Sequence, residues 1–146
     1  MKTDELHHAI LNELQLDARI SNAEIGRKVG LTAPAVAERI KRMQEDGIIK
    51  GFTATIDFMR LGYQQKAVIA VQLPHANITP FLNEAKTMKG ITNIVHTTGE
   101  YCFFVSLIVK SSSELNLKLD QFAKFGKTTT FSVLSSPVES KAIDLT

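Results

Sequence analysis

Between Arg27 and Arg42 the chain places five basic side chains, Arg27, Lys28, Arg39, Lys41 and Arg42, against one acid, Glu38. The whole chain carries a net charge of only +2, so this stretch is a local concentration on a near-neutral background. Guanidinium and ammonium groups at that density suit one chemistry above others, the neutralisation of phosphates with release of their counterions. The competing reading is a solvated helix face that only keeps the chain dispersed. Which reading holds depends on the elements that point these groups.

Residue types that make and break bonds are sparse. The histidines His7, His8, His75 and His96 share no metal-ligand spacing, and none neighbours the single cysteine, Cys102. His7 and His8 are expected on an exposed helix face. Ser111-Ser112-Ser113 reads as a helix start rather than a nucleophile, and no glycine-rich phosphate loop is present. Cys102 lies in an apolar run and reads as a small buried hydrophobe. No enzyme activity, metal or cofactor is expected. A lone cysteine allows no internal disulfide and fits a reducing, cytoplasmic compartment. The charged start Met1-Lys2-Thr3-Asp4-Glu5 is unlike a signal peptide, and no apolar run approaches the roughly 18 residues of a membrane span.

Three helices position the basic stretch. Leu6, Ile10, Leu11 and Leu14 repeat at three- and four-residue steps and predict a helix from Asp4 to Gln15. Ser21-Asn22-Ala23-Glu24 is a capping box for a second, with Ile25 and Val29 inward and Gly30 ending it. Thr32 caps a third, with Pro34 in its first turn, which runs to about Asp46 and stops at Gly47. Val36, Ile40 and Met43 face inward, so Pro34, Glu38, Lys41 and Arg42 point away, with Ala35 and Arg39 on the flanks. Two short helices joined by Gly30-Leu31-Thr32, the second with a basic outer face, describe a helix-turn-helix. Its second helix enters a major groove of double-stranded DNA with its N-terminal residues nearest the bases. Thr32, Pro34 and Ala35 are then the residues at the groove, and Glu38 can accept from a cytosine amino group. Arg39, Lys41 and Arg42 serve phosphates, although Arg39 could equally pair with Glu38 or an acid of the first helix.

The rest of the chain is of another kind. Ile48 to Asp57 reads as a strand, with Arg60-Leu61-Gly62 as the linker after it. Lys66–Leu73 alternates as a strand, and Thr79-Pro80 opens a helix with Phe81, Ala85 and Met88 inward. A hairpin follows from strands at 94–98 and 101–110 around Gly99-Glu100. A helix starting at Ser111 puts Leu115, Leu119 and Phe122 on one face, and Thr128–Ser136 is the last strand. The order is βαββαβ, the ferredoxin-like arrangement, making the chain α+β with a winged-helix-like helix-turn-helix in front. The expected domains are 1–47, a connecting strand and linker at 48–63, and 64–146, with the tail from Glu139 undetermined. Two helices cover one face of a four-stranded sheet, so a second subunit is expected on the other.

At this point the chain resembles the leucine-responsive regulator/AsnC family, the feast-or-famine transcription regulators. The stretches that carry the resemblance are Ile10-Leu11-Asn12-Glu13-Leu14-Gln15 with Arg19-Ile20-Ser21, then Glu24 and Val29-Gly30-Leu31-Thr32. Glu38-Arg39-Ile40, Gly47-Ile48-Ile49-Lys50-Gly51-Phe52 and Thr98-Gly99-Glu100-Tyr101 continue it. The resemblance implies homodimers paired through the C-terminal sheets, gathered into octamers of four dimers. It also implies a small effector, commonly an amino acid, bound at Thr98, Gly99, Glu100, Tyr101 and Cys102. The chain departs from the family pattern at His7, where an acid is usual, and at Cys102, where many members carry Asp. Gly126-Lys127 also stands in place of Pro-Gly-Val. A thiol offers an α-ammonium group no charged acceptor, so weak or no response to simple amino acids such as leucine or asparagine is expected. A different small metabolite, or none, is then the expected effector. Two other readings use the same elements: an RNA-binding module with base-stacking Tyr101, Phe103 and Phe104, and a metabolite sensor with a degenerate DNA-binding half.

Overall fold

The structure is a computed structural model and describes residues 2–145. Its contacts divide the chain into two units, Met1–Thr55 with Val138–Thr146, and Ile56–Pro137.

The first unit holds α1 (Glu5–Leu16), α2 (Asn22–Val29) and α3 (Ala33–Glu45). Each start is fixed by a short polar side chain that accepts from an otherwise orphaned amide. Asp4 accepts from the His7 amide, Ser21 from Glu24, and Thr32 from Ala35. Between α2 and α3, Gly30 turns left-handed at φ 71°, and the Leu31 amide reaches back to the Gly26 carbonyl at 2.9 Å. The turn is tight enough that a Cβ on Gly26 would lie 2.4 Å from the Leu31 carbonyl oxygen. Ile10, Leu14, Ile25, Val36 and Met43 form the core, with Leu11, Ile20, Val29, Leu31, Ile40 and Ile49 packed on it. A buried side chain of this size contributes about 1.5–3 kcal/mol and an exposed ion pair about 0–1, so the apolar stripes and not the charges assemble these helices.

The second unit is a four-stranded antiparallel sheet, β1 (Gln65–Gln72), β2 (Ile91–His96), β3 (Phe103–Val109) and β4 (Lys127–Ser132), in the order β2-β3-β1-β4. The helices α4 (Ile78–Thr87) and α5 (Ser112–Ala123) make the two crossovers. Ala67, Ile69 and Val71 of β1 and Phe103, Val105, Leu107 and Val109 of β3 meet Phe81 and Ala85 of α4 and Leu115 and Phe122 of α5. Phe81 anchors this layer, its ring centroid 5.3 Å from those of both Phe103 and Phe122. The alternate residues, Val68, Ala70, Phe104 and Ser106, share the opposite face with Val95 and Phe131, by the registers Val68↔Phe131 and Val95↔Phe104. Neither helix covers that face.

Several expectations are corrected. Residues 50–57 form no strand, because a strand needs a neighbour and no described segment pairs with them; all eight are irregular and exposed. Arg60-Leu61-Gly62 is no plain linker: Met59–Leu61 is a 3₁₀ turn closed by Gly62 at φ 85°. The hairpin strands begin and end earlier or later than expected, and β4 stops at Ser132. The tail joins the first unit rather than the second. Gln15 donates to the Ile143 carbonyl at 2.9 Å and accepts from its amide at 3.0 Å, while Asn12 accepts from the Leu145 amide at 3.2 Å. Lys118, which interrupts the apolar face of α5, is buried, with its ammonium donating to the Lys89 carbonyl and 3.6 Å from Glu114.

Candidate functional site

The outer face of α3 carries the predicted residues in two groups. Thr32 and Pro34 are exposed at its start, Ala35 is half-buried beside them, and Glu38, Lys41 and Arg42 are exposed one and two turns on. The small side chains before Glu38 leave the first two turns low, so a flat polar surface can approach the helix closely there. Arg42 is 63% exposed and pairs with Glu38 at 2.9 Å, and Lys41 is 69% exposed with Glu45 at 3.8 Å. Such i,i+4 pairs in water hold little free energy, so both cations exchange their partners readily for a phosphate. Arg27 and Lys28 lie in the last turn of α2, where cations also complement the helix dipole, and Lys28 pairs with Glu13.

Arg39 stands apart from this group. It is only 26% exposed, and its Nη1 donates to both carboxylate oxygens of Asp4, at 3.0 and 2.9 Å. The same nitrogen lies 3.0 and 3.1 Å from the ring nitrogens of His7. His7 is therefore buried, not exposed as expected. As the third residue of α1 it completes a capping box, its Nδ1 3.2 Å from the Asp4 amide, and α3 covers its ring. The Asp4 carboxyl is held down at about 2, first by the His7 backbone amide and then by the Arg39 guanidinium. The sequence left Arg39 open to an acid of the first helix, and the structure makes that acid Asp4; the burial of His7 was missed because it depends on the packing of α1 against α3. Gly26 was missed as well, although a glycine inside a helical pattern is itself a signal of close backbone approach.

The second predicted site lies at the hairpin between β2 and β3. The Thr97 amide donates to the Cys102 carbonyl at 2.8 Å and the Thr97 hydroxyl to the Tyr101 carbonyl at 2.7 Å, which closes the loop. Thr98, Gly99 and Glu100 are exposed on it, and Gly99 takes φ 116°, a conformation that other residues resist. Tyr101 turns to the open sheet face, 6.0 Å from the Phe104 ring and 3.4 Å from the Thr129 hydroxyl. Cys102 turns the other way, half-buried against the core, with Sγ 3.7 Å from the Leu73 carbonyl oxygen. The loop thus brings Thr98, Gly99 and Glu100 together but sends Tyr101 and Cys102 to opposite faces. Beside Leu73, a Cβ on Gly126 would lie 2.2 Å from the Gln72 carbonyl oxygen, so this position admits only glycine. Phe103 is buried under α4 and cannot stack a base, which removes one of the three aromatics that an RNA platform would use.

Among the described residues no cluster of His, Cys, Asp or Glu could hold a metal ion, and no helix is long and apolar enough to cross a membrane.

Two family profiles match the chain, one described as winged helix-turn-helix DNA-binding over residues 3–50 and one described as Lrp/AsnC ligand binding domain over residues 66–143. The HTH-type transcriptional regulator LrpC of Bacillus subtilis is 27% identical over 97% of this chain and 97% of its own length. Its solved structure superimposes with a TM-score of 0.88 at 26% identity, covering 96% of this chain and 100% of that one. The HTH-type transcriptional regulator FL11 of Pyrococcus horikoshii is 35% identical over 80% of this chain and 78% of its own. A Neisseria meningitidis transcriptional regulator solved as its L-Met complex has the same fold, with a TM-score of 0.90 at 18% identity, covering 99% of this chain and 97% of that one.

Proposed function

This chain belongs to the Lrp/AsnC family of transcriptional regulators, and from that premise we propose how it engages DNA, itself and a small molecule. It is a helix-turn-helix regulator that binds DNA, and its family consists of regulators rather than enzymes. The helix α3 enters the major groove with Thr32, Pro34 and Ala35 at the base edges, while Lys41 and Arg42 take phosphates. The observation that carries this reading is the tight turn at Gly30 followed by a helix whose exposed cations hold only weak partners. The exposed site of Glu38 lets it exchange Arg42 for a cytosine amino group.

The chain works as a homodimer at least, paired through the open sheet face, and as an octamer of four dimers in the form the family resemblance implies. Phe131 and Val95 on that face are 50% and 44% exposed, an apolar cost in water that a second copy removes. A dimer presents two copies of α3 to half-sites one helical turn apart or a multiple of it, so the operator is symmetric. The effector site is the hairpin loop, where the Gly99 backbone leaves amides open to a carboxylate. The L-Met complex of the Neisseria meningitidis regulator makes amino acids the first class to test. Cys102 points its thiol at the Leu73 carbonyl and supplies no charged acceptor for an ammonium group, which favours a weak response to simple amino acids. The compartment of this work is the cytoplasm, where DNA is found and a lone thiol stays reduced.

A competition experiment tests the reading. The protein is titrated into labelled duplex DNA from the region flanking its own gene, with unlabelled mixed-sequence duplex and single-stranded RNA as competitors. Retention of the flanking duplex against both supports the reading, and displacement by RNA alone would turn it over to an RNA-binding module.

A further inference from the structure

We propose that Asp4, an acid beside the DNA-reading helix, strengthens DNA binding because it holds Arg39 as a strut between α1 and α3. The inference rests on the DNA-binding reading and reassigns Arg39 from phosphate contact to positioning residue. Three observations carry it. Arg39 is far less exposed than Lys41 or Arg42, at 26% against 69% and 63%. Its Nη1 already meets both Asp4 oxygens and the His7 ring, a charge-assisted arrangement that ties the guanidinium to α1. Asp4 is tied in turn to the first turn of α1 through the reciprocal Asp4–His7 cap.

The strut joins the N-terminal end of α1 to the middle of α3. Asp4, His7 and Arg39 line one concavity with Ala35, Glu38 and Arg42, which lie on the face presented to DNA. Transfer of Arg39 to a phosphate would exchange one charge-assisted pair for another. It would also leave the Asp4 carboxylate without its guanidinium next to a polyanion. The guanidinium therefore stays with Asp4, and what reaches the DNA is the orientation it gives to α3. Simple electrostatics predicts the opposite sign for Asp4, since removal of an acid near DNA should tighten binding.

The test uses the full chain and a labelled mixed-sequence duplex, with affinity measured across a salt series. Asp4→Asn keeps the helix cap, because Asn caps as well as Asp, and removes only the ion pair. The expected result is a loss of about fivefold in affinity at fixed salt, the upper end for one exposed pair, with the log-affinity against log-salt slope unchanged. Arg39→Ala should lose a similar factor, again at constant slope, and the double variant should be no weaker than either single one. Tighter binding by Asp4→Asn, or a slope flattened by about one unit in Arg39→Ala, would overturn the proposal and return Arg39 to the phosphates. A parent chain that fails to bind duplex DNA at low salt would instead defeat the DNA-binding reading. Thermal unfolding of each variant confirms that the folded chain is being compared.

Discussion

On the proposed DNA-binding reading, Glu38 serves specificity, whereas Gly26 serves the stability of the first unit. Glu38 is paired to Arg42 at 2.9 Å in the free protein, so its carboxylate reaches a base only by giving up a weak exposed partner. Glu38→Ala should relax the preference at one base pair by about 1–3 kcal/mol and leave the other positions alone, as selection from a randomised operator library will read. Gly26 has no such freedom, since an added methyl meets the Leu31 carbonyl at 2.4 Å. Gly26→Ala is expected to cost about 1–3 kcal/mol of stability, measured by denaturant unfolding, because backbone must shift to admit the group. Asp4 gives the acid limb of stability. Its folded value of about 2 lies below the ordinary 3.8, so its contribution is present above that value and is lost as the pH falls from about 4 towards about 2. The thermal stabilities of the parent and Asp4→Asn should therefore converge across that window and stay apart above it. A gap that persists unchanged at its lower end would show that the carboxylate is not the source.

At the scale of elements, the tail has its partners far along the sequence, and the segment 50–57 pairs with no described strand. The tail is held by paired side-chain amides on α1, Gln15 around Ile143 and Asn12 at Leu145 and Asp144. Gln15→Ala removes two exposed hydrogen bonds, and a loss of about 1 kcal/mol in unfolding free energy is expected, with hydrogen exchange rising in residues 143–145. The helices of the first unit were legible because caps and apolar periodicity are local: Ser21, Thr32, Gly30 and Pro34 mark the boundaries within a residue or two. The tail was not legible, because amide groups more than a hundred residues away give it its conformation. His7 misled for a related reason. Its polarity suggests an exposed face, and only the approach of Arg39 from α3 makes burial tolerable. Alternation in 48–57 was read as a strand and was misread, because the pattern alone cannot supply the neighbour that a strand requires.

For the molecule as a whole, the sheet presents one covered and one open face, and alternation made that division visible before the register settled which residues fall on each. Val68, Phe104 and Phe131 fall on the open one. A charge on that face, as in Phe131→Glu, should leave a folded monomer and shift the association equilibrium by at least tenfold, seen by light scattering across a concentration series. An unchanged assembly would place the contact elsewhere. The hairpin loop was located from its glycine, but the opposite orientations of Tyr101 and Cys102 depend on where β3 enters the sheet. A thermal-shift screen of the common amino acids should give small responses in the parent and larger ones in Cys102→Asp. A strong parent response at sub-millimolar leucine or asparagine would show that the missing carboxylate is of no consequence. The central claim is that α3 carries the DNA contacts through Lys41 and Arg42, and the most direct measurement is the salt dependence of duplex affinity for the parent and the Lys41→Ala, Arg42→Ala double variant. The account predicts a slope flatter by about two units and weaker binding at physiological salt. Equal affinity and equal slope in the two proteins would contradict it.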